Sequence, residues 1–170
     1  EYTSLDFEMG YIDGFEDIMG METGFLQYAM ELLKKDYSKE LQILKIQLPK
    51  VDQIPAVRFD KAKELVSEKY NRKIRNPDDK FTLSFDLLFH GLEVTTGGQR
   101  IHDYNQLKAK IAARGMEEEG MEQYLDTFKH GMPPHGGLGI GLERLTMQLL
   151  GEENVREACL FPRDLNRLEP

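Results

Sequence analysis

The stretch Gly136-Gly137-Leu138-Gly139-Ile140-Gly141-Leu142-Glu143-Arg144-Leu145 carries four glycines and then passes into the apolar spacing of a helix. Glycines lack the side chains that keep a ligand off the backbone, and the first turn of a helix offers unpaired N–H groups. A strand that enters a helix here can hold a planar or phosphorylated ligand, although a glycine-rich sheet edge before an ordinary core helix is an alternative. Arg144 favours the ligand site, because a guanidinium can stack on a base or bind phosphate oxygens.

Composition limits the classes of protein to which the chain can belong. Its 170 residues are 40% hydrophobic and 31% charged, which is typical of one soluble globular domain. No apolar run approaches the roughly 20 residues of a membrane span, and no signal peptide is evident, so we expect a cytoplasmic protein without a membrane partner. The net charge of −8 argues against a surface built for non-specific nucleic-acid binding. The single cysteine, Cys159, excludes an internal disulfide framework.

Residues 2–11 alternate in polarity and predict a strand. The apolar face is predicted to carry Leu5, Phe7, Met9 and Tyr11, and the polar face Ser4, Asp6 and Glu8. The two carboxylates therefore face away from the core, either as part of a site or simply solvated.

The segments that follow predict scaffold. Residues 15–35 have helical spacing, with Ile18, Met21, Phe25, Met30 and Leu33 as the apolar stripe. Residues 41–48 predict a strand, and Asp60 is the predicted N-cap of a helix that ends at Tyr70. The residues Asn76-Pro77-Asp78-Asp79 form a turn signal. Further helices are expected after the N-cap Asp103 and over residues 121–128.

A second group of candidate site residues lies in the middle of the chain. Residues 81–88 alternate in polarity and place Asp86 on the polar face. His90-Gly91 can bend this strand, which is expected to continue over residues 92–96 with Glu93 and Thr96. A sharp turn is expected at Gly97-Gly98, before Arg100. Acids can hold Mg²⁺ and an arginine can bind a carboxylate through two hydrogen bonds, whereas a solvated, salt-bridged sheet face is the alternative.

Several separated motifs resemble those of the class II aminoacyl-tRNA synthetases. The glycine-rich strand with Gly141-Leu142-Glu143-Arg144-Leu145 resembles motif 3 of that family, and residues 1–9, Glu-Tyr-Thr-Ser-Leu-Asp-Phe-Glu-Met, resemble the second half of motif 2. Residues 84–87, 97–103 and 133–137, together with Phe161-Pro162-Arg163-Asp164, resemble aspartyl-tRNA synthetases of the archaeal and eukaryotic type. The likeness covers nearly the whole chain. It implies an α+β fold in which helices flank a mainly antiparallel sheet that is incomplete on its N-terminal side.

The resemblance also implies an activity and a set of site residues. The activity is ATP-dependent conversion of aspartate to aspartyl-adenylate, followed by transfer to the acceptor end of tRNA, in a homodimer. Arg144 and Glu93 are the implied catalytic residues. ATP would be bound by Glu1, Tyr2, Asp86, Glu93, Gly141, Leu142, Glu143 and Arg144. Aspartate would be bound by Asp6, Thr96 and Arg100, and Mg²⁺ by Glu93, Asp86 and Thr96.

The sequence departs from the family pattern in ways that leave alternatives open. Motif 1, the first strand of motif 2 with its phosphate-binding arginine, and the N-terminal anticodon-binding barrel have no counterpart in residues 1–170. The family also carries a longer segment at the junction of residues 79 and 80. We therefore expect a C-terminal part of the catalytic domain that does not aminoacylate alone. The alternatives are a paralog that activates aspartate or asparagine without tRNA and a non-catalytic nucleotide-binding remnant.

Overall fold

The computed structural model describes residues 2–71 and 82–168. Glu1, the predicted turn at 76–79 and the junction at 79 and 80 lie outside the described residues. The elements within them are β1 (Ser4–Gly10), α1 (Phe15–Asp36), α2 (Ser38–Ile43), α3 (Phe59–Tyr70), β2 (Ser84–Phe89), β3 (Leu92–Gln99), α4 (Tyr104–Ala113), α5 (Glu122–Lys129), β4 (His135–Gly141), α6 (Leu142–Leu150) and a short 3-10 helix (Val155–Ala158).

The described strands form one antiparallel sheet in the order β1-β4-β3-β2. This arrangement confirms the predicted α+β class with a mainly antiparallel sheet. Two rows of paired residues cross all four strands on the face that carries the site. One row is Asp6, Gly139, Thr96 and Asp86; the other is Glu8, Gly137, Gly98 and Ser84. Side chains from distant parts of the sequence therefore share one face.

Helix α1 covers the opposite face of the sheet, where the core lies. The buried cluster consists of Ile12, Ile18, Leu26, Leu138, Ile140 and Leu145. The helix approaches β4 closely, since a Cβ on Gly136 would lie 2.5 Å from Ile18 Cδ1. The predicted stripe of α1 is partly wrong, because Met21 and Phe25 are exposed while Glu22 lies on the buried line with Ile18, Leu26 and Met30. Because Glu22 is an acid at a buried position, the spacing of apolar residues did not predict the buried face of α1 correctly.

The strand predicted at residues 41–48 is wrong. Residues 38–43 form α2, and Lys45 then adopts the left-handed region with φ 55° while Ile46 N–H donates to the Leu41 carbonyl at 2.9 Å. Such a contact is a common helix end. An apolar segment forms a strand only where a neighbouring strand can pair with it. Residues 41–48 have no such neighbour among the described strands, and their first residues form the end of α2.

Two smaller predictions about strand ends are also wrong. Tyr11 has φ 59° and is 88% exposed, so the alternation ends at Gly10 and Ile12 turns into the core instead. The expected sharp turn at Gly97-Gly98 is absent because β3 continues to Gln99. Here the glycines serve close packing, since a Cβ on Gly97 would lie 2.6 Å from the Phe85 ring.

Other local predictions are confirmed in part. Asp103 caps α4 by accepting a hydrogen bond from Gln106 N at 2.8 Å. At His90-Gly91 the prediction of a bend in one continuing strand is wrong, because the two residues, with φ of 49° and 83°, form a two-residue hairpin that reverses the chain between β2 and β3. The helix predicted from Asp60 is confirmed as α3, although its N-cap is Arg58. Within the described residues, no helix has both the length and the apolarity needed to span a bilayer.

Candidate active site on the open face of the sheet

An open groove of about 710 Å³ lies on the sheet face opposite α1. Its floor is made of glycines from β3 and β4, and its walls carry polar side chains from β1, β3 and the segment after β3. The glycines are required there, because a Cβ on Gly137 would lie 2.2 Å from the Phe7 carbonyl oxygen and one on Gly139 would lie 2.6 Å from Asp6 Oδ1. The glycine-rich stretch thus provides a floor that a ligand can approach closely.

Arg100 and Glu8 form an ion pair at one end of the groove. Arg100 Nε lies 3.0 Å from both carboxylate oxygens of Glu8, and its Nη2 contacts Oε1. The hydrogen bond from Arg100 lowers the pKa of Glu8, and the same bond raises the pKa of Arg100. Both side chains remain about half exposed, at 58% and 52%. Arg100 therefore keeps donors available for a second, incoming carboxylate.

Asp6 lies in the middle of the groove beside its glycine floor. Ser4 Oγ donates to Asp6 Oδ1 at 2.6 Å and fixes one carboxylate oxygen. On the sheet, Asp6 and Thr96 are separated by Gly139, so the two side chains stand about two strand spacings, or roughly 10 Å, apart. The gap above Gly139 leaves room for a small polar molecule between them.

Asp86, Glu93 and Thr96 converge on the β2–β3 side of the sheet. The Thr96 hydroxyl lies 2.9 Å from Asp86 Oδ1 and 3.3 Å from Glu93 Oε1. Among residues 2–71 and 82–168, no group of three or more His, Cys, Asp or Glu side chains could hold a metal ion. Two carboxylates beside a hydroxyl fit a Mg²⁺ site in which phosphate oxygens and water supply the remaining ligands.

A β-bulge brings Glu93 into this cluster. Leu87 pairs with Thr95 but Leu88 pairs with Glu93, so Val94 is an extra residue on β3. Val94 and Thr95 are consequently both buried, with 3% and 1% exposure. Strict alternation would place Glu93 and Thr96 on opposite faces, whereas the bulge puts them on the same face.

Arg144 lies at the junction of β4 and α6, next to Glu93. Its Nη1 donates to the Glu93 carbonyl at 3.0 Å and lies 3.5 Å from Glu93 Oε1. The side chain packs over Gly141, where a Cβ would lie 3.7 Å from it. The main-chain bond fixes the guanidinium while half of its surface stays open to a ligand.

The residues next to Arg144 hold β1 against α6. Both carboxylate oxygens of Glu143 accept from Thr3 N–H at 2.9 Å, and Leu142 N–H donates to the Thr3 carbonyl at 3.0 Å. Desolvation raises the pKa of Glu143, but the hydrogen bonds from Thr3 outweigh it and the net shift is downward. Tyr2, one residue before this clamp, is 82% exposed at the same end of the sheet.

Most of the sequence that builds this sheet face also matches a known family model. The model of the class II tRNA synthetases for D, K and N matches residues 56–165. The chain belongs to this family. The match covers β2, β3 and α6, which carry Asp86, Glu93 and Arg144, and it also covers β4 and Arg100, which directly follows β3.

The curated relatives that this class II synthetase chain matches include proteins named aspartate–tRNA ligases. It is 35% identical to the aspartate–tRNA(Asp/Asn) ligase of Aeropyrum pernix and 39% identical to that of Thermus thermophilus. It is 34% identical to the aspartate–tRNA(Asp) ligase of Pyrococcus furiosus. Each match covers 100% of this chain and 49%, 50% and 49% of the three relatives, respectively. The chain thus spans about half the length of the curated relatives it matches.

Solved synthetase structures share the fold. The asparaginyl-tRNA synthetase of Entamoeba histolytica, in complex with asparaginyl-adenylate, superposes with a TM-score of 0.87 at 23% identity. The aspartyl-tRNA synthetase of the same organism superposes with a TM-score of 0.76 at 27% identity. Both cover 99% of this chain, and the matched region is 49% and 44% of theirs.

The structure brings the sequence-predicted residues together in two groups. Asp86, Glu93, Thr96 and Arg144 form one cluster, and Asp6 and Arg100 border the groove beside it. Gly141, Leu142 and Glu143 hold the β4–α6 junction, Tyr2 lies at its edge, and Glu1 falls outside the described residues. Sequence reasoning missed Glu8 as a site residue. Its position two residues after Asp6 on the same strand face was the available signal.

Proposed function

We propose that the protein is an aspartate–tRNA ligase that activates aspartate with ATP and transfers it to the acceptor end of tRNA. The observation that carries the proposal is one sheet face on which a groove bordered by Arg100 lies next to the cluster of Asp86, Glu93 and Arg144, with Thr96 shared by both. The names of the curated relatives support the same reaction. Cytoplasmic location and a homodimer follow from the family resemblance and belong to the proposal.

Arg100 would bind the side-chain carboxylate of aspartate. Its guanidinium offers donors in a planar arrangement that matches a carboxylate, and Glu8 holds it in place. An asparagine amide presents one acceptor and two donors, so it pairs less well with a guanidinium. Asp6 and Thr96 would complete the pocket, where Asp6 supplies negative charge for the amino group of the substrate.

Arg144 would lie against one face of the adenine of ATP, with Tyr2 near the other. A guanidinium stacked on an aromatic base and a phenol ring on its opposite face form a favourable sandwich. Glu1, Gly141, Leu142 and Glu143 would complete the nucleotide end. In this assignment the clamp between Glu143 and Thr3 sets the distance between the two stacking groups.

Glu93 and Asp86, with Thr96 between them, would hold Mg²⁺ together with ATP phosphates. The bound ion would neutralise phosphate charge, so that a carboxylate can approach the α-phosphorus. Attack by the aspartate α-carboxylate forms the acyl–phosphate bond, breaks the bond to the β-phosphate oxygen and releases pyrophosphate. The residues of the chain orient the reactants and balance their charge, and form no covalent bond with them.

The test is exchange of labelled pyrophosphate into ATP. It is measured on the natural full-length protein, with either aspartate or asparagine added to the assay. Exchange that depends on aspartate alone supports an aspartate–tRNA ligase, and charging of tRNA completes the assignment. Exchange that depends on asparagine would contradict the role given to Arg100. No exchange with either amino acid, together with ATP binding, would identify a non-catalytic nucleotide-binding protein.

A further inference from the structure

A buried acid lies behind the cluster, on the core face of the same sheet. Glu22, in the third turn region of α1, is only 3% exposed, and Thr95 on β3 is 1% exposed. Among residues 2–71 and 82–168, Glu22 Oε1 and Thr95 Oγ1 are buried side-chain atoms without a hydrogen-bond partner. Buried polar groups without partners destabilise a fold, so their retention calls for an explanation.

The two groups face each other across the contact between α1 and β3. Burial raises the pKa of Glu22, and the nearby Thr95 hydroxyl offsets part of that rise. The Thr95 hydroxyl can donate to a carboxyl oxygen of Glu22 in either protonation state of the acid. Small side-chain rotations would therefore satisfy both groups with each other.

Thr95 lies at the point on β3 where this contact affects the site. It directly follows Val94, the extra residue of the bulge, and directly precedes Thr96, whose hydroxyl contacts Asp86 and Glu93. In a regular ladder without the bulge, Leu88 would pair with Val94 and Phe89 with Glu93, so Glu93 would move to the core face of the sheet.

We propose that Glu22 is a positioning residue that, through Thr95, fixes the bulge of β3 and so keeps Glu93 and Thr96 together on the open face. This inference rests on the proposed function, because it gives Glu22 a role in the same site. Glu22 touches neither substrate nor metal. It acts from the opposite side of the sheet by selecting one register.

The variants separate positioning from stability. The double variant Glu22→Met/Thr95→Val removes both polar groups at similar volume, so the midpoint of thermal unfolding stays the same or rises. Affinity for Mn²⁺–ATP, measured by Mn²⁺ electron paramagnetic resonance, falls about tenfold, as for other residues that orient metal ligands. Glu22→Gln keeps a donor and an acceptor, and its affinity stays within about twofold of the unmodified protein.

A matched control lies one turn further along α1. Leu26→Ala removes a buried side chain from the same helix face, so it lowers the unfolding midpoint but leaves Mn²⁺–ATP affinity nearly unchanged. Amide hydrogen exchange in residues 93–97, measured without metal, should quicken in the double variant and not in Leu26→Ala. That readout reports the strand itself and does not depend on ligand binding.

The outcomes distinguish the two proposals. Unchanged Mn²⁺–ATP affinity in the double variant would overturn the role of Glu22, as would a loss that accompanies a lowered unfolding midpoint. If the unmodified protein binds Mn²⁺–ATP but shows no aspartate-dependent exchange, the proposed function fails while the binding comparison still decides the role of Glu22. If the unmodified protein does not bind Mn²⁺–ATP, both proposals are wrong.

Discussion

Arg100 and Arg144 each lie beside a glutamate on the open face of the sheet, yet the two pairs differ in kind. Arg100 meets Glu8 side chain to side chain, through Nε and Nη2. Arg144 donates to the main-chain carbonyl of Glu93 and stays 3.5 Å from its carboxylate. The pairs have similar exposure, so burial does not explain the difference.

The contrast shows how one pair of residue types can serve two purposes. Glu8 is committed to Arg100, which it holds in place for a second carboxylate. Glu93 keeps its carboxylate near Thr96 and Asp86, where a cation can bind, because a backbone oxygen anchors Arg144 instead. The first pair suits recognition of an acid, and the second suits a nucleotide with its metal.

Arg100→Leu should have the largest effect of these variants. It should change the kinetics with aspartate and leave the KM for ATP unchanged. Loss of the guanidinium leaves Glu8 facing the substrate carboxylate, and we expect a loss of about 4 kcal/mol, close to a thousandfold, in kcat/KM for aspartate. Pyrophosphate exchange at varied aspartate and ATP measures it. Arg100→Lys should recover little, because an ammonium cannot bind a carboxylate through two parallel bonds. If the KM for ATP rose by a similar factor, Arg100 would not act on aspartate alone, and the proposed difference between Arg100 and Arg144 would be wrong.

Arg144→Ala should weaken ATP binding and leave the KM for aspartate unchanged, and its effect should be smaller than that of Arg100→Leu. We expect ATP affinity to fall by about 2 kcal/mol, roughly thirtyfold, because a stacked cation is lost. Isothermal titration with ATP measures the change, and the KM for aspartate serves as the internal control. Equal losses for both substrates would indicate that Arg144 supports the fold of the site and not the nucleotide alone.

Gly137→Ala should disturb the Arg100 pair and spare the Arg144 pair. The new Cβ would lie 2.2 Å from the Phe7 carbonyl oxygen and 2.6 Å from Glu8 Cδ, so β1 and β4 must separate locally. We expect the free energy of unfolding to drop by about 1.5 kcal/mol, measured by denaturant titration. Gly24→Ala is the matched control, because nothing lies within 4 Å of its Cβ and alanine favours a helix. Equal stability of the two variants would contradict the close approach.

Glu8→Gln should have the smallest effect, and it should depend on pH. The pKa of Glu8 is lowered in the folded state by Arg100, so its stabilising contribution is present above the unfolded pKa of about 4.3 and is lost as the pH falls through the folded pKa. Both side chains are half exposed, so screening limits the difference at neutral pH to under about 1 kcal/mol.

Urea titrations at pH 7 and at pH 3 measure the contribution of Glu8. The difference between Glu8→Gln and the unmodified protein should be present at pH 7, smaller at pH 3, and reduced in high salt. A difference of the same size at pH 3 and pH 7 would mean that the carboxylate charge on Glu8 is not what stabilises the pair.

Local chemistry made much of the fold predictable. The alternation of residues 4–9 and the cap Asp103 depend on neighbours in sequence, and the structure confirms them. Residues 41–48 were predicted wrongly because an apolar run becomes a strand only where a partner strand is available. That condition cannot be read from the run itself.

By itself the sequence determined which residues could form the site. Glycines at alternate positions of β4, acids on two strands, and two arginines next to the glycine-rich segments were visible as residue types and spacings. Those features depend on backbone sterics and side-chain chemistry alone. The family and its α+β fold were implied by the resemblance of these segments to the motifs of the class II aminoacyl-tRNA synthetases.

Only the tertiary structure decided how those residues meet. The bulge at Val94 reverses the face of Glu93, the pair of Glu8 and Arg100 joins residues 92 positions apart, and packing of α1 on β3 buries Glu22 and Thr95 together behind the site. Each of these contacts depends on strand register and helix packing. Register is set by the whole sheet, because a shift of one residue moves every side chain of a strand to the opposite face.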